Sequence, residues 1–170
     1  MMEEYKEKLS KIKMLVMDVD GILTDSRIIL DSSLGWKRFF SVRDGIGIHQ
    51  LRHKGYKTAV ITGSNSDDVR KRMEGLKIDY FFENKLDKGP AFEELKKMSG
   101  FSDEEISYIG DDIYDIPLLR MAGFSATVPE AVEEVINECD YITNRGGGYG
   151  AVRDLCHLIL TYGYFSKETQ

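Results

Sequence analysis

The sequence has little cysteine, little histidine and no long run of apolar residues. Its 170 residues include two cysteines, Cys139 and Cys156, which are too few for a disulfide framework and lack the spacing of a metal site. We therefore interpret both as thiols in a reducing compartment. No apolar segment approaches the roughly 20 residues that a membrane-spanning helix needs. Residues 1–13 carry lysine and glutamate without the apolar stretch of a signal peptide, so we expect a cytoplasmic protein.

Negative charge exceeds positive charge. The chain has 23 lysines and arginines against 29 aspartates and glutamates, a net charge of −6, which argues against a general nucleic-acid-binding protein because such proteins need a basic surface. The length fits one domain over residues 1–170, and the sequence shows no repeat, linker or low-complexity segment. An anionic ligand would need local cations or a metal ion.

Apolar strand-like runs alternate with helical patterns along the chain. The predicted strands are Met14–Val19, Thr58–Ile61, Tyr80–Phe82, Ile106–Ile109, Phe124–Val128 and a short one at Tyr141–Thr143. The predicted helices are Ile46–His53, Asp67–Leu76, Gly89–Met98, Tyr114–Met121, Glu130–Asn137 and Ala151–Leu160. This alternation predicts an α/β fold with a Rossmann-like, doubly wound parallel sheet.

One segment, at about residues 26–41, interrupts the alternation. Arg27–Leu30 and Trp36–Ser41 flank a run of turn residues, which predicts a β-hairpin inserted after the first strand. Apolar residues fall on both faces of the predicted ribbon, notably Ile28, Leu30, Trp36 and Phe40. Such a ribbon must be covered, either by self-association into a homo-oligomer or by packing against its own domain.

Polar motifs follow four successive predicted strands: Asp18-x-Asp20-Gly21, then Thr62-Gly63, then Lys88, then Gly110-Asp111-Asp112 with Asp115. Because the carboxyl ends of parallel strands meet at one edge of a sheet, we expect these groups to share one site. Each motif alone could be a turn or a solvated charge. Together they supply a carboxylate nucleophile, a second acid, groups that hold anionic oxygens, and oxygen ligands for Mg²⁺, which favours phosphoryl transfer through an aspartyl-phosphate.

The four motifs resemble those of the haloacid dehalogenase superfamily of phosphohydrolases. With the segments at Arg43–Ile48 and Gly146–Arg153, the chain more narrowly resembles the 3-deoxy-D-manno-octulosonate 8-phosphate (KDO 8-phosphate) phosphatases. This resemblance, which covers nearly the whole chain, implies a cap-less, tetrameric, Mg²⁺-dependent enzyme of lipopolysaccharide precursor synthesis that acts on a sugar-acid phosphate.

The resemblance also implies roles for individual residues. Asp18 matches the nucleophile and Asp20 the general acid and base, while Thr62 and Lys88 match the groups that hold the phosphoryl oxygens. The implied metal ligands are Asp18, Asp111 and the backbone carbonyl of Asp20, with Asp112 and Asp115 behind them. The implied substrate-binding positions are Asp20, Ser41, Val42, Arg43, Asp44, Gly45, His49, Ser64, Arg72 and Lys88.

Two of these positions depart from the family pattern and leave the substrate open. His49 and Ser64 stand where many members have arginine, so pairing with a sugar-acid carboxylate is weaker here. The alternatives are KDO 8-phosphate and the 9-phosphate of a sialic-acid-like sugar. Arg72 could equally be a solvated charge on its helix.

Two further readings of the chain keep a similar fold. A catalytically inactive regulatory relative is disfavoured, because all the acids that the chemistry needs are present. A response-regulator receiver is disfavoured because its acidic pair would precede the phosphorylated aspartate by a strand and a helix. For an enzyme without a cap, another subunit, the hairpin or the glycine-rich segment Gly146–Gly150 would have to close the site against water.

Overall fold

A six-stranded parallel sheet forms the centre of the protein. The computed structural model describes residues 2–165, with side chains from residue 5 onward, so the predicted domain of residues 1–170 extends beyond it at both ends. The six strands of this sheet are β1 (Met14–Met17), β4 (Lys57–Ile61), β5 (Tyr80–Phe82), β6 (Ile106–Ile109), β7 (Phe124–Thr127) and β8 (Tyr141–Ile142). Strands β2 (Ile29–Asp31) and β3 (Gly35–Lys37) form a separate hairpin. The helices are α1 (Met2–Leu9), α2 (Val42–His53), α3 (Asp67–Leu76), α4 (Gly89–Ser99), α5 (Ile116–Met121), α6 (Glu133–Ile136) and α7 (Ala151–Tyr162), with short 3₁₀ turns at Asp103–Glu105 and Ile113–Asp115.

The strand order β5-β4-β1-β6-β7-β8 confirms the predicted parallel α/β sheet. The chain runs outward from β1 through β4 to β5, then returns to the other side of β1 with β6. This reversal creates a crevice at the carboxyl ends of β1 and β6, where ligands bind in open α/β sheets. All four residues of β1 are fully buried, as expected for a central parallel strand that is covered on both faces.

Helices α2 and α7 pack closely on one another. A Cβ atom at Gly47 of α2 would lie 3.1 Å from the Cα atom of Arg153 and 3.1 Å from the Cβ atom of Cys156, so this glycine allows the close approach. The apolar face of α7, which includes Leu155 and Ile159, is buried in the core. Among residues 2–165, no helix is long and apolar enough to cross a membrane.

Several element boundaries differ from the prediction. The sequence does not predict α1, whose Leu9 is fully buried and whose Tyr5 packs edge-on against Phe124. Helix α6 is shorter than the predicted Glu130–Asn137. Residues 130–132, predicted to be helical, form a turn instead. In that turn the backbone N–H of Val132 donates a hydrogen bond to the carbonyl of Asp111 at 3.2 Å.

The predicted hairpin is present as β2 and β3, which pair only with each other. Six of its apolar residues are 48–68% exposed: Ile28, Ile29, Leu30, Leu34, Trp36 and Phe39. For these six the alternative of packing against their own domain is wrong. Phe40 is the exception, because it packs against the core, so its expected place on the ribbon surface is also wrong. Within residues 2–165, the segments between β1 and β5 contain no cap domain.

Candidate active site

A cavity of about 270 Å³ lies at the carboxyl ends of the central strands. Its lining residues are Asp18, Asp20, Ser26, Thr62, Gly63, Ser64, Leu86, Lys88, Asp111, Asp112, Tyr114 and Asp115. The structure therefore brings together every residue that the sequence analysis put forward as a catalytic group or metal ligand. These residues lie on four separate loops, which follow β1, β4, β5 and β6.

Lys88 lies between two carboxylates at the bottom of this cavity. Its Nζ is 2.8 Å from Asp18 Oδ1 and 2.5 Å from Asp115 Oδ1, and its side chain is only 5% exposed. Burial by itself lowers the pKa of Lys88, but the charges of Asp18 and Asp115 outweigh burial and raise that pKa. Lys88 is therefore a fixed cation beside the carboxylate of Asp18.

Each oxygen of Asp115 already accepts two hydrogen bonds from described residues. Its Oδ1 accepts from Lys88 and from the hydroxyl of Tyr108, each at 2.5 Å. Its Oδ2 accepts from the backbone N–H groups of Asp111 at 3.0 Å and Asp112 at 3.1 Å. Asp115 thus orients Lys88 and the loop after β6. Although carboxylate oxygens of Asp18, Asp111 and Asp115 lie within 4.8 Å of one another, the first two are the ones available to a cation.

The surrounding protein does not balance the negative charge that Asp18 and Asp111 acquire when they ionise. Burial raises the pKa of Asp18 to about 7, with Lys88 opposing the shift and Asp115 adding to it. Burial also raises the pKa of Asp111 to about 8, with Asp18 and Asp115 adding to it. The Oδ1 atom of Asp111 is buried without a hydrogen-bond partner among the described residues. A hard divalent cation, which prefers oxygen ligands, fits this pair.

Gly21 makes room for the Asp111 carboxylate. It has a φ of +90°, and a Cβ atom there would lie 1.8 Å from Asp111 Oδ2. Gly147 allows a second close approach, because a Cβ atom there would lie 1.7 Å from the carbonyl oxygen of Gly21. The backbone N–H of the next residue, Gly148, donates a hydrogen bond to the carbonyl of Ile22 at 3.0 Å. The glycine-rich segment therefore packs against the loop after β1. It is not among the lining residues of the 270 Å³ cavity, but Gly147 lines a neighbouring cavity of about 420 Å³ that shares Ser26 and Asp111 with it. Closure of the site by this segment stays a prediction.

Thr62 and Ser64 form the side of the cavity at the end of β4. Thr62 is buried, and its Oγ1 accepts a hydrogen bond from the backbone N–H of Ser64 at 3.0 Å. The Thr62 N–H donates to Phe82 O at 2.9 Å, which continues the pairing of β4 with β5. The hydroxyl of Thr62 is thus held at the cavity wall by the sheet itself.

Sequence reasoning missed Arg38, which follows β3 directly. Its Nε is 2.5 Å from Asp20 Oδ1 and its Nη2 is 3.1 Å from Asp20 Oδ2, a two-point contact with the predicted general acid and base. The side chain is only 7% exposed. The available signal was the pair of cations Lys37 and Arg38, which stands between Trp36 and two phenylalanines.

The predicted substrate-binding positions divide into two groups. Asp20, Ser64 and Lys88 line the cavity, whereas the others are not among its lining residues: Ser41, Val42, Arg43, Asp44, Gly45, His49 and Arg72. Arg72 is half-buried, and its Nη2 donates to the carbonyl of Ser41 at 2.9 Å while the guanidinium lies over the Phe40 ring. The alternative of a solvated Arg72 is therefore wrong.

Asp44 lies at the junction of α2 and α7. It is 1% exposed, and its Oδ1 accepts from the backbone N–H of Arg153, in the first turn of α7, at 2.8 Å. Its Oδ2 is buried without a partner in the described part of the chain. Burial raises the pKa of Asp44 to about 6. Val42, Arg43 and His49 on the same helix are exposed.

Comparison with known proteins points to one family. Residues 81–147 match the haloacid dehalogenase-like hydrolases. The 3-deoxy-D-manno-octulosonate 8-phosphate phosphatase of Haemophilus influenzae is 38% identical over 155 residues, which is 91% of this chain and 86% of the relative. The Moraxella catarrhalis enzyme of that name, solved with magnesium, phosphate and KDO, superposes with a TM-score of 0.93 at 40% identity, over 96% of this chain and 94% of the other. The cobalt-bound Haemophilus influenzae structure gives a TM-score of 0.88 at 38% identity, over 91% of each chain.

Proposed function

Because this chain belongs to the 3-deoxy-D-manno-octulosonate 8-phosphate phosphatases, a family of haloacid dehalogenase-like phosphoric monoester hydrolases, we propose that it hydrolyses KDO 8-phosphate to KDO and inorganic phosphate. The observation that carries this proposal is the single cavity that joins Asp18, Asp20, Lys88 and Asp111. We place the reaction in the cytoplasm, as the sequence leads us to expect.

The first half of the reaction transfers the phosphoryl group to Asp18. A carboxylate oxygen of Asp18 attacks phosphorus, and the bond from phosphorus to the sugar oxygen breaks. Asp20 gives its proton to that leaving oxygen, so the sugar departs as an alcohol. Lys88, 2.8 Å from Asp18, and the hydroxyl of Thr62 stabilise the charge on the phosphoryl oxygens.

The second half releases phosphate. Asp20, now ionised, takes a proton from a water molecule, and the water oxygen attacks phosphorus. The bond between phosphorus and Asp18 breaks, which returns the Asp18 carboxylate and frees inorganic phosphate. The same side chain therefore serves as acid and then as base, and its position relative to Asp18 matters in both halves.

The carboxylates of Asp18 and Asp111 and the backbone carbonyl of Asp20 would hold Mg²⁺. When bound, the ion neutralises the excess negative charge of the cavity and orients the substrate phosphate. The lining residues include no histidine or cysteine within the described part of the chain, which favours Mg²⁺ over zinc.

The exposed hairpin supports self-association. Its six exposed apolar residues would contact the hairpins of other copies in a homo-oligomer, which the family resemblance makes a tetramer. A neighbouring subunit would then shield a cavity that has no cap domain within residues 2–165. Nothing in this arrangement requires a nucleic acid or a membrane as partner.

The test is a phosphate-release assay on KDO 8-phosphate, a sialic-acid-like 9-phosphate and p-nitrophenyl phosphate, each with Mg²⁺ and with excess chelator. We expect Mg²⁺-dependent hydrolysis with KDO 8-phosphate preferred by more than about tenfold, or ~1.4 kcal/mol in transition-state stabilisation. The matched variants are Asp18→Asn, which should be inactive, and the exposed Asp67→Asn, which should retain activity.

Two results would contradict the proposal in different ways. A tenfold preference for the 9-phosphate would keep the chemistry and change the substrate to the nonulosonate. Absence of Mg²⁺-dependent hydrolysis of all three esters would instead identify a catalytically inactive relative.

A further inference from the structure

We propose that Arg38 is the positioning residue that fixes the carboxylate of Asp20 for its acid and base roles, and so connects the hairpin to the loop after β1, which carries Asp18 and Asp20. This inference rests on the proposed phosphatase function. Arg38 does not touch the nucleophile Asp18 in the contacts of the described chain, and its effect would pass through Asp20.

The guanidinium of Arg38 has no spare donor. Arginine has five N–H groups in a rigid planar arrangement. Nε–H and one Nη2–H contact the two oxygens of Asp20, and Nη2 also donates to Ser64 Oγ at 3.0 Å. Nη1 donates to Ser66 Oγ at 2.9 Å and to Asp68 Oδ1 at 3.3 Å. The side chain is therefore held in one orientation.

Asp20 depends on this contact for its own orientation. Its side chain is 36% exposed, and the hydrogen bond that it accepts from Thr24 Oγ1 is long at 3.5 Å. A charge-assisted, two-point contact with arginine defines both the direction and the rotation of a carboxylate. Without Arg38, the Asp20 carboxylate would be free to turn away from the leaving oxygen.

Arg38 is also held by groups outside the loop that follows β1 and carries Asp20. Ser64, Ser66 and Asp68 lie between the end of β4 and the first turn of α3, and the two serine hydroxyls are 3.2 Å apart. These groups would keep the guanidinium in place even if Asp20 moved. Since Arg38 follows β3, a displacement of the hairpin would change the position of Asp20.

The experiment compares phenyl phosphate with p-nitrophenyl phosphate, two esters of similar shape. Nitrophenolate leaves readily without a proton, whereas phenolate needs the acid more strongly, so the ratio of their kcat/KM values reports proton donation by Asp20. Both esters are measured on one enzyme preparation. The ratio is therefore unaffected by a change in the folded fraction of a variant.

We expect Arg38→Met to lower kcat/KM for phenyl phosphate by about 10- to 100-fold, because a misplaced catalytic group costs rate on that scale. The loss on p-nitrophenyl phosphate should be at least fivefold smaller. Arg38→Lys should lie between Arg38→Met and the unmodified protein, because lysine keeps the charge but lacks the planar two-point geometry. Arg70→Met, which removes a surface arginine paired with Glu83, should leave the ratio unchanged.

A double variant separates action through Asp20 from a general structural effect. In an Asp20→Asn background, adding Arg38→Met should cost less than threefold on phenyl phosphate, because the group that it positions is already lost. Equal losses on both esters, a gain on phenyl phosphate, or full additivity with Asp20→Asn would overturn the role of Arg38 while leaving the phosphatase intact. Failure of the unmodified protein to hydrolyse either ester with Mg²⁺ would overturn both proposals.

Discussion

Asp44→Asn should change how stability depends on pH. This carboxylate is buried between α2 and α7, its Oδ2 has no hydrogen-bond partner among residues 2–165, and burial raises its pKa from 3.8 to about 6. Because the folded-state pKa is the higher one, the favourable contribution of protonated Asp44 is complete below pH 4 and is lost as the pH rises through 6. The difference between a pKa of 3.8 and one of about 6 corresponds to about 3 kcal/mol between those limits.

The assay is urea unfolding of both proteins at several pH values from 4 to 7, monitored by circular dichroism. The asparagine cannot ionise, so the variant lacks this component of the pH dependence, while all other titrating groups are common to both proteins. The difference in unfolding free energy, variant minus unmodified protein, should rise by about 1–3 kcal/mol from pH 4 to pH 7. An unsatisfied amide in the variant would shift this difference by a constant amount without changing its slope.

Asp67→Asn is the matched control, because it removes a negative charge from an exposed position on α3. Its stability difference from the unmodified protein should vary much less over the same range. If the Asp44→Asn difference is flat with pH, or falls as the pH rises, then burial does not destabilise the ionised Asp44 and the reasoning is refuted.

The remaining predictions concern catalysis, metal binding and assembly. Asp20→Asn should lower kcat on KDO 8-phosphate by ~10²–10⁴-fold, and an unchanged kcat would remove its assigned role. Mg²⁺ at about 100 times its Kd should stabilise the protein by ~2.7 kcal/mol in thermal unfolding, and Asp111→Asn should lose that stabilisation. Mg²⁺ should also restore chelated enzyme better than Ca²⁺, so equal rates would contradict the metal assignment. Ile28→Asp with Trp36→Asp should release 19.4 kDa monomers in light scattering, whereas a monomeric unmodified protein would refute the assembly.

The arrangement of the central sheet and its motifs could be predicted because both are local in the sequence. Apolar runs such as Met14–Met17 are long enough to indicate buried strands, and polar residues follow them at the strand ends. Parallel topology then brings those ends together without any knowledge of side-chain packing. The sequence therefore predicts which catalytic and metal-binding side chains lie together in the active-site cavity.

The rest depends on contacts between distant segments. Arg38 reaches Asp20 only because the hairpin folds back toward the loop before α3, and no periodicity in the sequence reports that direction. Asp44 stands beside other candidate substrate residues in the sequence, yet its oxygen binds the first turn of α7, 109 positions later. The sequence analysis missed the role of Arg38 and misplaced Asp44 for the same reason: each side chain is fixed by hydrogen bonds to residues far away in the sequence.

The proposed mechanism requires Asp18 to carry the phosphoryl group during turnover. The direct measurement is a rapid acid quench of the Mg²⁺-loaded protein with KDO 8-phosphate labelled in its phosphate, followed by peptide mapping. We expect label on the peptide that contains Asp18, its loss to inorganic phosphate during a chase, and no label or turnover in Asp18→Asn. Turnover without labelled protein, together with more than about a tenth of the activity in Asp18→Asn, would contradict this mechanism.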